Sequence, residues 1–192
     1  MTKKLSLALV VAVVLVFALA GVAQARGSMS TAVFMADLKP LNQSGVGGKA
    51  TFVLKGATLH VIVTARGLES GKQHMQEIRG NRDGSKAVCP PPSADVNGDG
   101  IISPAEGLSF YGPVLLPLAP YPMARGRGVV TYNHTFRNKQ FDVLDLANTP
   151  LTNRVIVLHG MTLAGPYDAG AYDPTVPIAC GVIRRVPASW AP

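Results

Sequence analysis

Charge is scarce in this chain: Asp, Glu, Lys and Arg make up 15% of its 192 residues, with 11 acidic side chains against 18 basic ones. The formal net charge of +7 is spread without a run of four or more basic residues. That pattern leaves room for weak polyanion or cell-surface contact and does not indicate a dedicated nucleic-acid surface. No segment carries a 3.6-residue apolar period over three turns, so an amphipathic helical framework is excluded. The Gly-x-Ser-x-Gly elbow is missing as well. Ser109 sits in "GLSFYG" with no assignable His and Asp partners, which leaves no nucleophile motif. Internal repeats and low-complexity tracts are also absent.

The N-terminus departs from this plainness. Met1-Thr2-Lys3-Lys4 precedes an apolar stretch from Leu5 to Val22 and then Ala23-Gln24-Ala25. A basic start, an apolar middle and a small-x-small site predict a signal peptide over residues 1–25, the alternative being an uncleaved membrane anchor. No cysteine follows the apolar run to take a lipid, and no later segment is apolar enough to span a bilayer. The expected product is an extracytoplasmic chain, periplasmic or secreted, of residues 26–192. It forms a single domain with a charge of about +5 once Lys3 and Lys4 are gone. Cys89 and Cys180, the two cysteines present, both fall in the exported part. An oxidising compartment favours a bridge between them over two free thiols.

Short β-branched and apolar segments recur between Gly, Pro and Asn. They are Thr31–Leu38, Ala50–Leu54, Thr58–Ala65, Gln73–Ile78, Val129–Phe136, Arg154–His159 and Cys180–Val186. Strands of this number and length predict an all-β fold, a β-sandwich or barrel. Two stretches read as loops. One is a strandless insertion over residues 81–127, and the other spans Thr162 to Pro177, with Gly165-Pro166 and Asp173-Pro174 as breakers. Asn148 to Thr152 reads as a turn.

Within the insertion, "DVNGDGIISPAE" places oxygen side chains at loop positions one (Asp95), three (Asn97), five (Asp99), nine (Ser103) and twelve (Glu106). Gly100 takes the sharp turn at position six, and Ile101 offers its carbonyl at seven. Ile102 at eight is the residue expected to pin the loop to a core. Hard oxygens at this spacing suit calcium, whose flexible shell accepts a bidentate Glu. The flanks predict a lone loop: Pro90, Pro91 and Pro92 forbid an entering helix, while Ser103-Pro104-Ala105-Glu106 reads as a capping box opening a short helix that Gly107 and Gly112-Pro113 stop. Such a loop orders its surroundings instead of signalling. Arg79, Arg82 and Lys86 are expected to form a basic patch that screens the ion site.

"GLESGKQHMQEIRG" followed by Cys89, then "NRVIVLHGM" and "ACGVI", resembles the Cu/Zn superoxide dismutase family in three places and in order, over about Lys49 to Val186. The calcium-loop insertion is similar to secreted bacterial proteins grouped with chordin-type (CHRD) domains. The resemblance implies a Greek-key β-sandwich or barrel, a Cys89–Cys180 bridge, and copper-binding positions at His74 and His159. It is incomplete. The second His of the family's His-x-His is Gln76, placed with His74 on one strand face, and an amide is a poor copper ligand. No His lies between His74 and His134 to stand for the zinc cluster, and the anion-guiding Arg is Pro177.

The function expected is therefore that of a non-catalytic calcium-binding protein, structural or ligand-binding. The alternative is a copper or redox protein using a reduced site at His74 and His159, helped by His134 or Gln76. His60, and the stripe Tyr132, His134 and Phe136, read as face and packing residues.

Overall fold

The computed structural model describes residues 30–144, 146, 150–163 and 170–192. The expected signal peptide over residues 1–25, the Gly165-Pro166 breaker and Asn148 lie outside the described residues.

Among the described residues, nine strands and one α-helix are formed. β1 (Thr31–Pro40), β2 (Gly47–Lys55) and β3 (Thr58–Arg66) make a meander, and β4 (Gln76–Arg79) follows. Helix α1 (Pro104–Tyr111) precedes β5 (Val114–Pro117), and β6 (Val130–Arg137), β7 (Val155–Thr162), β8 (Tyr172–Val182) and β9 (Arg184–Val186) complete the chain. Hydrogen-bonded neighbours run β5-β4-β7-β8-β1-β2-β3-β6, with β9 beside β1, all antiparallel where strands pair. The non-consecutive pairs β3–β6, β4–β7 and β1–β8 carry the chain back and forth between two curled layers. This is the all-β Greek-key sandwich expected from the strand pattern.

Period-two alternation explains the layers. In β3, Leu59, Val61, Val63 and Ala65 are buried while the residues between them face outward. They meet Phe52 of β2, Ile78 of β4, Ile156 and Leu158 of β7 and Ile178 of β8 in one core. β1 is buried on both faces from Val33 to Ala36; on the outer face Val33 and Met35 cluster with Val186, the cross-strand neighbour of Val33 on β9, and with Val53 of β2. Its last two residues, Lys39 and Pro40, leave β2 and pair instead with Cys180 and Ala179 of β8, so β1 joins the two layers.

Three expectations are corrected. The insertion holds a strand, β5, which pairs with Glu77 to Arg79; at four residues, following Gly112-Pro113 and ending on Pro117, it is too short to show alternation. β8 begins at Tyr172, within the stretch expected to be a loop. Pro174 is tolerated there because this half of β8 has β7 on one side and meets β1 only at Ala179 and Cys180, so no ladder bond is lost. β4 begins at Gln76, not Gln73. Ahead of it, Gly71 N–H and His74 N–H donate to Ala124 and Pro122, so that stretch pairs with the loop before β6.

Cys89 and Cys180 are bonded, with Cα atoms 5.8 Å apart, and sit with Leu41, Ala87, Tyr111, Val155 and Val157 in a second apolar cluster outside the β4–β7–β8 layer. The bridge ties the 81–127 segment to β8 and closes a loop of 91 residues. Closure of that length removes about 4 to 5 kcal/mol of unfolded-state entropy in the chain-entropy model. Replacing both cysteines by alanine is expected to lower unfolding stability by about 2 to 5 kcal/mol. Urea titration of the variant beside the oxidised protein measures the loss, and coincident midpoints would refute it.

Candidate functional site

The loop over residues 95–106 is built by its own side chains. Asp95 accepts from Gly98 N–H and Gly100 N–H, each at 2.9 Å, with Gly100 at φ +86° in the turn that required glycine. Asn97 Oδ1 accepts from Asp99 N–H at 3.0 Å, and Asp99 Oδ1 from Ile101 N–H at 2.8 Å. Glu106 closes the ring. One oxygen takes Val96 N–H at 3.1 Å, and the other takes Ser103 N–H at 2.8 Å and Ser103 Oγ–H at 2.7 Å. Ser103 in turn accepts from Glu106 N–H, completing the expected capping box on α1. These bonds from Ser103 hold the Glu106 carboxyl below its ordinary range, so it is ionised at neutral pH.

The loop is fastened to the sandwich by a residue that sequence reasoning missed. Asn42, in the β1–β2 turn, accepts Ile102 N–H at 2.8 Å and donates to Ile102 O at 3.0 Å and Pro177 O at 2.9 Å. Ile102 is buried as expected, but an amide 60 residues away fixes its backbone. The local signal was thin: "LNQSG" reads as an ordinary turn. Asn42 and Gln43 both adopt positive φ (52° and 55°), a conformation asparagine tolerates better than most residues. Within this frame Asp95, Asp99 and Glu106 aim their oxygens at loop N–H groups. Among the described residues, no three His, Cys, Asp or Glu side chains are gathered as a ready metal-holding group.

The two histidines are buried but do not share a site. His74 lies just before β4, one nitrogen 3.0 Å from His159 O and the other 3.1 Å from Glu69 O. Gly160 at φ +107° admits this approach: a Cβ there would lie 2.0 Å from Tyr172 Oη and 3.1 Å from His74 Nδ1. His159 Nδ1 is 2.7 Å from Thr175 O, and Nε2 is 3.3 Å from Glu77 Oε2, close enough for attraction but out of hydrogen-bonding geometry. Gln76 is buried with an amide nitrogen that has no partner among the described residues. His134 is on β6 in the other layer, edge-on to Phe136 at 4.8 Å, and His60 meets Asn133. As arranged, these residues do not fit copper. Both nitrogens of His74 face carbonyl oxygens, so no lone pair is directed at a shared centre, and His159 turns to a carboxylate already engaged elsewhere.

That carboxylate belongs to a buried network. Arg79 Nε donates to Glu77 Oε2 at 2.9 Å, its NH1 to Gly112 O at 3.2 Å, and its guanidinium lies 4.6 Å from the Tyr111 ring centroid. Arg79 therefore does not join Arg82 and Lys86 at the surface as expected, because period two places it beside Glu77 under α1. Burial pushes the Glu77 carboxyl up, but the imidazole of His159 close beside it, then the hydrogen bond and charge of Arg79, outweigh it and leave the group below its ordinary value. Ser109 is exposed on α1.

No family model matches the chain, and no curated protein is similar to it in sequence. Among solved structures it is similar to superoxide dismutase 5 of Candida albicans in the Cu(II) form, at 14% identity and a TM-score of 0.41, covering 83% of this chain and 95% of that one.

Two outcomes follow from this geometry. Asn42→Gly keeps positive φ accessible and removes the amide, so the loss of about 1 to 3 kcal/mol expected in urea unfolding reports the clamp itself; an unchanged midpoint would contradict it. Glu77→Gln leaves Arg79 a buried cation without its anion, an expected cost of about 3 to 5 kcal/mol at neutral pH. Because the folded carboxyl sits below its unfolded value, its contribution is present above the ordinary 4.5 and fades as pH falls through the depressed folded value. Stability measured from pH 7 to 3 should fall more steeply in the wild type than in the variant, which keeps only the acid limb of the other lowered carboxyls, such as Glu106.

Proposed function

We propose that this chain is an exported calcium-binding β-sandwich protein, structural or ligand-binding and non-catalytic, in which the ion stiffens the segment carrying residues 95–106. One observation carries the reading. A twelve-residue loop with oxygen side chains at the calcium spacing is closed by Glu106 onto its own start and bolted to the sandwich through Asn42. Ionised carboxylates hold more lone pairs than the loop N–H groups use, and the remainder are free to accept a hard cation. The proposed ligands are Asp95, Asn97, Asp99, the Ile101 carbonyl, Ser103 and Glu106. Export is supported by the Cys89–Cys180 bridge, which is at home in an oxidising compartment. A lone loop at that location suits the weak affinities, ~10⁻⁴ to 10⁻³ M, of extracellular calcium modules.

Thermal unfolding with calcium and with chelator tests this directly. At calcium about tenfold above the dissociation constant the stabilisation is about 1.4 kcal/mol, or roughly 3 to 5 °C in Tm. The rise is expected with calcium, to be smaller with magnesium, and to vanish in Asp95→Asn. A melting curve indifferent to calcium would overturn the proposal. So would stoichiometric copper in the purified protein, which would restore the imidazole alternative.

A further inference from the structure

A second surface, independent of the loop, gathers charge of the opposite sign. Two segments distant in sequence, residues 66–73 and 122–131, are laced together through their backbones. Gly71 N–H donates to Ala124 O and Ala124 N–H to Lys72 O, both at 2.9 Å, while Leu68 N–H donates to Gly128 O at 3.1 Å. Gln73 bridges to Met123. Arg125 and Val129 exchange backbone hydrogen bonds at 3.0 and 3.1 Å around the tip Gly126-Arg127-Gly128. The tip lies so close to the β3 end that a Cβ on Gly128 would sit 2.0 Å from Leu68 O. Since Ala65 pairs with Val130, Arg66 stands next to Val129.

The lacing brings four exposed cations into two adjoining segments, Arg66, Arg125 and Arg127 around Val129 and Lys72 beside Tyr172. None of them is ion-paired within the described residues. Lys72 lies over the Tyr172 ring at 5.1 Å, and Glu69, the carboxylate of the same segment, is engaged by the backbone N–H and hydroxyl of Thr162. Arg125 and Arg127 line a shallow groove of about 820 Å³ together with Pro122, Met123, Val129 and Thr131. Met123 is 56% exposed and Val129 44%, so large apolar side chains project among the arginines.

That composition selects an occupant. No aromatic side chain lines the groove to stack nucleic-acid bases. A soluble polyanion would reward the arginines but not the exposed methionine and valine. The boundary between headgroups and acyl chains of an anionic bilayer rewards both. We propose that this face, with the Arg125–Val129 tip foremost, docks on an anionic phospholipid surface, the cations meeting phosphate and Met123 and Val129 entering the interface.

The test is sedimentation of the full chain with phosphatidylglycerol vesicles and with phosphatidylcholine vesicles. Binding to the first, weakening as salt rises, is expected. Each cation near such a surface is worth about fivefold, so the double variant Arg125→Ala/Arg127→Ala should bind roughly 25-fold more weakly. Met123→Ser should weaken it about fivefold to tenfold, including at high salt. Because these side chains are exposed, the variants should melt with the wild type, and that control separates docking from folding. Equal binding to both lipids would place attachment elsewhere, as in the apolar N-terminal stretch, and would sink the proposal. So would wild-type binding by the double variant, displacement by inorganic phosphate at matched concentration, or capture by heparin without any vesicle binding.

Discussion

The contact on which the insertion depends is the three-bond grip of Asn42 on Ile102 and Pro177. A segment of more than forty residues with one short strand and one two-turn helix cannot bury enough apolar surface by itself to offset its chain entropy. It is held because its ends of contact are few and well chosen: the disulfide to β8, the β5–β4 ladder, and this amide, which joins the β1–β2 turn, the oxygen-rich loop and the start of the β8 core region at one point. The positive φ at Asn42 and Gln43 is the conformational cost of aiming that amide.

Beneath the insertion, polarity is buried in a controlled way. Glu77 and Arg79 sit on the outer face of β4, where alternation makes them neighbours of Val155 and Val157 instead of the sandwich core, and α1 closes over them with Tyr111. A buried ion pair of this kind adds little net stability against an apolar replacement, yet it penalises any packing that separates its members. It also accounts for His159. The imidazole is drawn between Thr175 O and the Glu77 carboxylate, so a residue at a position the superoxide dismutase resemblance assigns to copper serves here to join β7, β8 and β4. Gln76 contributes an amide nitrogen with no partner among the described residues, as expected of a polar residue left on an inward-facing strand position.

What the sequence alone determined is local. Period-two runs marked the strands because one face of each had to be apolar. The capping box and the Gly112 stop marked α1, because those residues satisfy helix ends within a few positions of themselves. Cys89 and Cys180 were legible as a pair, and the twelve-residue oxygen spacing was legible as a loop that folds on itself. The tertiary structure decided everything that depends on partners far along the chain. β5 acquires its strand character only from the β4 edge it completes, and β8 tolerates Pro174 only because that edge is unpaired. His74 and His159 occupy the positions expected of ligands, but their rings are claimed by carbonyls and a carboxylate that no spacing rule could supply. Asn42 and the cations at the Arg125–Val129 tip mattered for the same reason: hydrogen bonds and charge act through distance in space, and only the folded backbone sets that distance.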